Sequence, residues 1–333
     1  MKKTTMADVA KASGFSKATV SMVLSKKKVN ISEETRNKIL KISKELHYIP
    51  NGAARSLSTN KSRTLGIVVP DITNPFFAEI ARAIEDSASS EDYSVILCNT
   101  DNEIKKERKY IELLVSKLVD GVIFISGGNS NKNIEIIRDN NIPFILVDRD
   151  VKGMLEVNGV YCSSKEGISE VVEYLHSHGK KDIIFVEGPK ELEISKARLR
   201  EYKKYAEAYK LYKPENIIEG DFTIESGMQS INKIIENKLK FDAIFFSNDL
   251  MAFGGIKVLN RMGYRIPEDI CIIGFDNIKI SEIFEPELTT VSQPIYDMGK
   301  AGCKLLIDII EDREITERQI YFKTQLIERD TTE

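Results

Sequence analysis

The stretch TMADVAKASGFSKATVSMVLS, Thr5–Ser25, sets small and apolar residues on both sides of a single glycine. Thr5 stands three residues before Asp8, an aspartate version of the capping box that starts a helix. A short helix over 7–12 follows, Gly14 supplies a permissive turn, and Ser16 caps a second helix on which Val20, Val23 and Leu24 share one side. Lys17, Ala18, Ser21 and Met22 fall on the opposite face. A third helix begins at Ser32: Glu33 and Glu34 suit its positive end, Ile39, Ile42 and Leu46 form its apolar stripe, and Lys41 and Lys44 suit its negative end. The reading is a helix-turn-helix with a supporting helix.

Charge gives that face a purpose. Residues 1–63 carry 14 lysines and arginines against 4 acids, whereas the rest of the chain carries 34 against 47. A basic head on an acidic body matches a head that meets a polyanion. A helix in the major groove would let Lys17 address guanine acceptors, Ser21 a base or phosphate, and Ala18 and Met22 thymine methyls. Met22 reads equally as a surface methionine with no partner. After Pro50 the run NGAARSLS is too short to be a stable helix by itself and should order only against a partner. Its one large apolar residue, Leu57, either wedges into a minor-groove step or packs on the body; spacing alone does not separate the two.

From Thr64 onward the pattern changes. TLGIVVP, YSVILCN, DGVIFIS and IPFILVD are strand-like apolar runs, with helices expected over 76–90 and 105–118. A second set starts near Tyr161, with strands KDIIFVEG, FDAIFFSND and DICIIGFD and helices over 164–178, 197–211 and 250–262. The fold class expected is therefore α/β: an all-α head and two Rossmann-like lobes whose strand ends face a cleft suited to a small ligand. Neither lobe has GxGxxG after its first strand, and GxxxxGK[ST], HExxH, GxSxG and CxxC are absent, which argues against dinucleotide use and catalysis. Cys98, Cys162, Cys271 and Cys303 are far apart and read as free thiols, and His176 and His178 as a solvated helix end rather than a ligand pair. No cofactor or metal is expected. The start MKKTTMADV lacks a signal-peptide core and no apolar run approaches a membrane span, so a cytoplasmic protein is expected.

These segments resemble the LacI/GalR (lactose-repressor) family along essentially the whole chain. The matching residues are MADVAKASGFSKATVSMVL, ISEETRNKILKISKELHYIPN, AARSLST, IVVPDITNPFFAEIARAIE, IPFILVDRD, SKARL, SNDLMAFGGIKVL, GYRIPEDICIIGFDN and LTTVSQPIYDMGKAG. The resemblance implies a dimeric repressor that binds operator DNA under control of a small molecule, usually a sugar, held in a periplasmic-binding-protein-like core. It divides the chain into a head over 1–50, a hinge over 51–61 and a two-lobed core over 62–333. Lobe one would take about 62–160 and 292–322, and lobe two about 161–291 and 323–333. For DNA contact it implies Thr5, Ser16, Lys17, Ala18, Thr19, Ser21, Met22, Asn30, Asn51, Ala54, Arg55 and Leu57. For the effector it implies Phe76, Phe77, Arg149, Arg198, Phe222, Asp249 and Asp276.

The chemistry of those positions agrees. Arg198 offers a fork of donors and Asp249 an acceptor pair suited to vicinal hydroxyls, while Phe76, Phe77 and Phe222 offer flat apolar faces. Alternatives stand beside the others: Arg149 pairing with Asp148 or Asp150, Phe76 and Phe77 as core, and Asp276 as a turn cap. Three positions depart from the family pattern. Met22 stands where arginine is usual, Glu201 replaces the glycine of RLxGY, and Ser163 with Ser164 replaces an Asp-Asn pair. The sequence after the last strand, KTQLIERDTTE, leaves no room for a leucine heptad helix, so a dimer rather than a tetramer is expected.

Overall fold

The structure, a computed structural model, describes residues 4–24, 31–49, 61–125, 131–148 and 157–332. The chain divides into two compact units, Met1–Ser62 and Arg63–Glu333.

The described residues of the smaller unit form three helices: α1 (Met6–Ser13), α2 (Lys17–Leu24) and α3 (Glu33–Glu45). The capping box forms as the sequence suggests. Thr5 Oγ1 accepts from the Asp8 amide at 3.4 Å, and Asp8 Oδ2 accepts from the Thr5 amide at 2.9 Å. Gly14 closes α1 with φ of 76°, a left-handed backbone natural to glycine. Ser16 Oγ then accepts from the Thr19 amide at 3.1 Å at the start of α2. Val9, Val20, Val23 and Ile39 are buried together, with Met6, Phe15, Ile42 and Leu46 packed around them. So few buried side chains form a marginal core, and loss of a cap is felt directly in such a domain.

The larger unit contains two six-stranded sheets. In the first, β1 (Thr64–Val69), β2 (Ser94–Asn99), β3 (Gly121–Ile125), β4 (Phe144–Val147) and β5 (Gly159–Ser163) alternate with α4 (Pro75–Ser90), α5 (Ile104–Ser116) and α6 (Asn131–Asp139). In the second, β6 (Ile183–Glu187), β7 (Ile217–Glu219), β8 (Ala243–Phe246), β9 (Cys271–Asp276) and β10 (Thr289–Ser292) alternate with α7 (Lys165–Ser177), α8 (Glu193–Ala208), α9 (Ile224–Glu236) and α10 (Asp249–Arg261). The chain then returns through α11 (Ile295–Ile310) to β11 (Gln319–Lys323) of the first sheet and ends in β12 (Gln325–Ile327) of the second. The strand orders are β11-β5-β4-β3-β1-β2 and β12-β10-β9-β8-β6-β7. Among the described residues every pairing is parallel except β10 with β12.

One expectation is corrected. Tyr161 does not open the second lobe, because β5 pairs with β4 and β11 and completes the first sheet as far as Ser163. The partner that fixes β5 there, β11, lies far along the chain, so a local reading has no means of assigning the strand. The lobes are consequently joined by three crossings, at 163–165, 292–295 and 323–325. Helix α8 also begins four residues before the expected Ala197. Cys98, Cys162, Cys271 and Cys303 are free, as read, and only Cys162 is less than fully buried. No helix among the described residues is long and apolar enough to cross a membrane.

Helices α9 and α10 touch through glycine. A Cβ on Gly227 would lie 2.1 Å from the Met251 carbonyl oxygen, and one on Gly254 would lie 2.1 Å from that of Ile224. Backbone cannot yield as a side-chain tip can. Gly254→Ala is therefore expected to cost about 1–3 kcal/mol and to lower the melting temperature by several degrees; an unchanged thermal midpoint would show that the helices are free to separate.

Candidate functional site

On α2, Lys17, Ala18 and Ser21 are exposed and Met22 half-buried, while Val20 and Val23 are buried behind them. The face singled out in the sequence is thus free of the head's core. Thr5, Ser16 and Thr19 sit at the two helix starts, where Ser16 and Thr19 share a hydroxyl contact of 2.9 Å. Asn30, Asn51, Ala54, Arg55 and Leu57 lie outside the described residues.

In the larger unit one pocket is lined by Asn74, Phe76, Phe77, Asp148, Ile194, Arg198, Phe222, Asn248 and Asp276. Nearly all of these stand just past the carboxyl ends of parallel strands or on the helices that follow, where open α/β sheets bind ligands. Asn74 caps α4, its Oδ1 accepting from the Phe76 amide at 3.0 Å, and the Phe76 and Phe77 rings meet edge to face at 5.2 Å. Asp148 follows β4, Asn248 follows β8 and Asp276 closes β9. Asn248 Nδ2 donates to the Phe222 carbonyl at 2.9 Å, and its Oδ1 accepts from the Met251 amide at 3.0 Å. That bond ties the aromatic loop to the start of α10.

Arg198 is the centre of the pocket and is 4% exposed. Its guanidinium lies over the Phe275 ring at 3.8 Å and 5.8 Å from that of Phe222. Nη1 donates to the Ser247 carbonyl, and Nη2 stands 3.6 Å from Asp276 Oδ1. Asp276 Oδ1 also accepts from Gln293 Nε2 at 2.8 Å. Burial pushes the Asp148 carboxyl up to about 6, against the pull of Arg198. Burial raises Asp276 well above the usual carboxylate range too, with Arg198 opposing and Asp249 adding to the rise. Asp148, Phe222 and Asp276 have φ of 51°, 69° and 121°. Left-handed backbone at three non-glycine lining residues is strain concentrated at one site, a mark of a ligand clamp.

Asp249 is placed differently from the other residues expected at the effector. Its carboxylate is fully buried and does not line the pocket. Oδ2 accepts from the Ile278 amide at 2.9 Å and Ser281 Oγ at 2.8 Å, and Oδ1 from Thr290 Oγ1 at 2.5 Å. With three donors from its own lobe, the carboxylate pins β10 and the turn after β9 to the start of α10. Phe76, Phe77, Arg198, Phe222 and Asp276 come together as read, and Arg149 lies outside the described residues. Asn74, Asp148, Ile194 and Asn248 were not read. The signal for two of them was present: Asp148 is the first residue beyond ILV, and Asn248 is the cap before α10, positions that strand ends turn toward the cleft.

Two family descriptions match the chain: bacterial regulatory proteins of the lacI family over residues 5–51, and a periplasmic binding protein-like domain over residues 172–332. The ribose operon repressor of Halalkalibacterium halodurans is 40% identical over 329 residues, covering 99% of this chain and 97% of that protein. Catabolite control protein A of Priestia megaterium is 36% identical, covering 91% of each. Among solved structures, the Lac repressor dimer bound to operator and the anti-inducer ONPF matches with TM-score 0.89 at 26% identity, covering 99% of both chains. A ribose-bound LacI-family regulator from Enterococcus faecium matches with TM-score 0.73 at 31% identity, covering 81% of this chain and 98% of the other. A helix-turn-helix head and a two-lobed binding core define a DNA-binding transcription regulator. The chain belongs to the LacI family of bacterial regulators.

Replacing Asp249 with alanine would strand three buried donors, each worth about 1–3 kcal/mol when unsatisfied. Asp249→Ala should accordingly shift the urea unfolding midpoint of the core far downward. A normal midpoint with loss of ligand response alone would return Asp249 to the pocket.

Proposed function

We propose that the protein is a homodimeric, cytoplasmic repressor whose grip on an operator is controlled by a neutral sugar held in the interlobe cleft, with pentoses the first candidates. It is a binding protein and not an enzyme. The observation that carries the sugar reading is the buried pocket itself: a guanidinium fork, two carboxylates and two amides alternate with three aromatic rings, the lining that recognises hydroxyls on one face and a ring on the other. Among the described lining residues Arg198 is the one cation; its Nη1 donates to the Ser247 carbonyl and its Nη2 stands 3.6 Å from Asp276 Oδ1, which disfavours a phosphorylated sugar. The ribose operon repressor and the ribose-bound regulator support a pentose.

The space between the lining side chains is about 30 Å³, room for about two waters. A sugar therefore enters only when the lobes part, and closure around it is the step that would be transmitted to the head. In the head, Lys17, Ala18, Ser21 and Met22 are the proposed base readers, supported by Thr5, Ser16, Thr19 and Asn30; Asn51, Ala54, Arg55 and Leu57 are proposed to act in the hinge over 51–61. A single head reads only a half-site, so two are required on a pseudo-palindrome. Leu97, Ile280 and Ile283, all exposed on the core and Ile283 at 76%, are the apolar surface such a dimer would cover.

Three measurements test this. A thermal-shift titration should show the core stabilised by D-ribose and not by D-ribose 5-phosphate, with Arg198→Ala abolishing the shift while operator affinity stays intact. The reverse preference would overturn the neutral-sugar reading. Operator affinity should fall by about 10³ to 10⁵ between 50 and 200 mM salt if roughly 6 to 10 phosphates are met. Met22→Arg should alter preference at one base position per half-site by about 1–3 kcal/mol; unchanged preference would remove Met22 from the reading face.

A further inference from the structure

The basic charge concentrated in the head has a smaller counterpart in the larger unit. Residues 196–213 carry seven lysines and arginines against two acids, in a core whose acids outnumber its bases. Arg198 is buried in the cleft, whereas Lys196, Arg200, Lys203, Lys204 and Lys210 are exposed. Steps of four, three and one place the first four of these on one side of α8, along about 12 Å of its axis. Tyrosines are interleaved with them. Lys203 Nζ lies over the Tyr212 ring at 5.2 Å and Lys204 Nζ over the Tyr205 ring at 4.9 Å. The Tyr209 ring meets that of His176, from the exposed end of α7, at 4.6 Å. Tyr205, Tyr209 and Tyr212 are half-buried, packed on the apolar core behind α8. Their hydroxyls have no hydrogen-bond partner among the described residues.

The nearby acids do not cancel this face. Glu207 stands 3.8 Å from Lys203 and Glu201 4.0 Å from Lys204, beyond hydrogen-bond reach, and exposed pairs of that kind are worth little. Lys196 and Lys213 are held by Glu193 and Asp182, but Arg200 and Lys210 have no ion pair among the described residues. Exposed cations with phenol hydroxyls between them form the donor set that a phosphate backbone meets: the cations neutralise phosphates and tyrosine hydroxyls donate to their oxygens. Once the head holds an operator, further DNA is also the polyanion at highest local concentration. We propose that this face of the second lobe is a second, sequence-independent contact for duplex DNA, holding a segment other than the one that the head reads. It contacts phosphates and no base edges, so it adds affinity without adding base preference. The contact stands or falls apart from the pentose reading, because it lies outside the cleft.

The test irradiates the full-length protein with a random-sequence duplex carrying 5-bromodeoxyuridine and maps the crosslinked peptides. Crosslinks are expected at two places, the head and residues 196–213. The second set should vanish in a protein carrying Lys203→Glu, Lys204→Glu and Lys210→Glu, while head crosslinks persist, and should survive Lys203→Arg, Lys204→Arg and Lys210→Arg. In a mixture of duplexes of two colours, complexes holding both should become about tenfold rarer with the three charge reversals. The absence of crosslinks within 196–213, crosslinks there that survive the reversals, or an unchanged frequency of two-colour complexes would each overturn the proposal. So would poly-glutamate bound at this face that the duplex fails to displace, a result that would assign the face to an acidic protein segment.

Discussion

A guanidinium buried between two lobes is the constraint on which the core depends. Arg198 cannot shed its charge, so every neighbour must answer it: Phe275 with its ring face, Ser247 with a carbonyl, Asp276 with a carboxylate. Those partners come from the ends of β8 and β9, and α8 must lie across them for the fork to reach. Four buried polar atoms lack a hydrogen-bond partner among the described residues: Ser195 Oγ, Arg198 Nε, Glu201 Oε2 and Ser247 Oγ. Three fall at three-residue steps along α8 and the fourth belongs to the residue that accepts from Arg198. Among the described residues this polar dissatisfaction gathers on α8 and at the end of β8, around Arg198, while the strands behind are closed by apolar packing.

The two adjacent residues Asn248 and Asp249 show how the core separates binding from support. Asn248 turns its amide to the cleft and holds the Phe222 loop; Asp249, one position on, turns inward and holds three donors of its own lobe. Gly274 opposite Asp249 must remain glycine, because a Cβ there would stand 2.2 Å from Oδ1. Rigidity behind the pocket is what lets a small displacement at the strand ends move a whole lobe rather than dissipate in side-chain rearrangement.

Much of this was legible in the chain. Caps at Thr5, Ser16 and Ser32 and the turn at Gly14 are local chemistry, and local chemistry fixed α1 to α3 to within a residue or two. The buried parallel strands read as continuous apolar runs for the reason that helices cover both faces. What failed was non-local. Membership of β5 in the first sheet is decided by β11, and the inward turn of Asp249 by donors at 278, 281 and 290. The pocket aromatics and Arg198 came through resemblance and through chemistry together, whereas Asp148 and Asn248 were passed over for the neighbours that carry bulkier or charged groups. A strand's last residue decides which side chain faces the cleft, and strand ends are the least certain part of a sequence reading.

The three crossings also order events in time. Strand β11 completes the first sheet and β12 the second, and Thr331 and Thr332 then lock onto Ile272 and Thr289. During synthesis the head is whole as soon as its three helices leave the ribosome, while both lobes wait for residues 319–332. A chain released before residue 319 would therefore carry the helix-turn-helix unit with neither sheet complete, and the apolar edges of β5 and β10 left without β11 and β12 would be exposed to association.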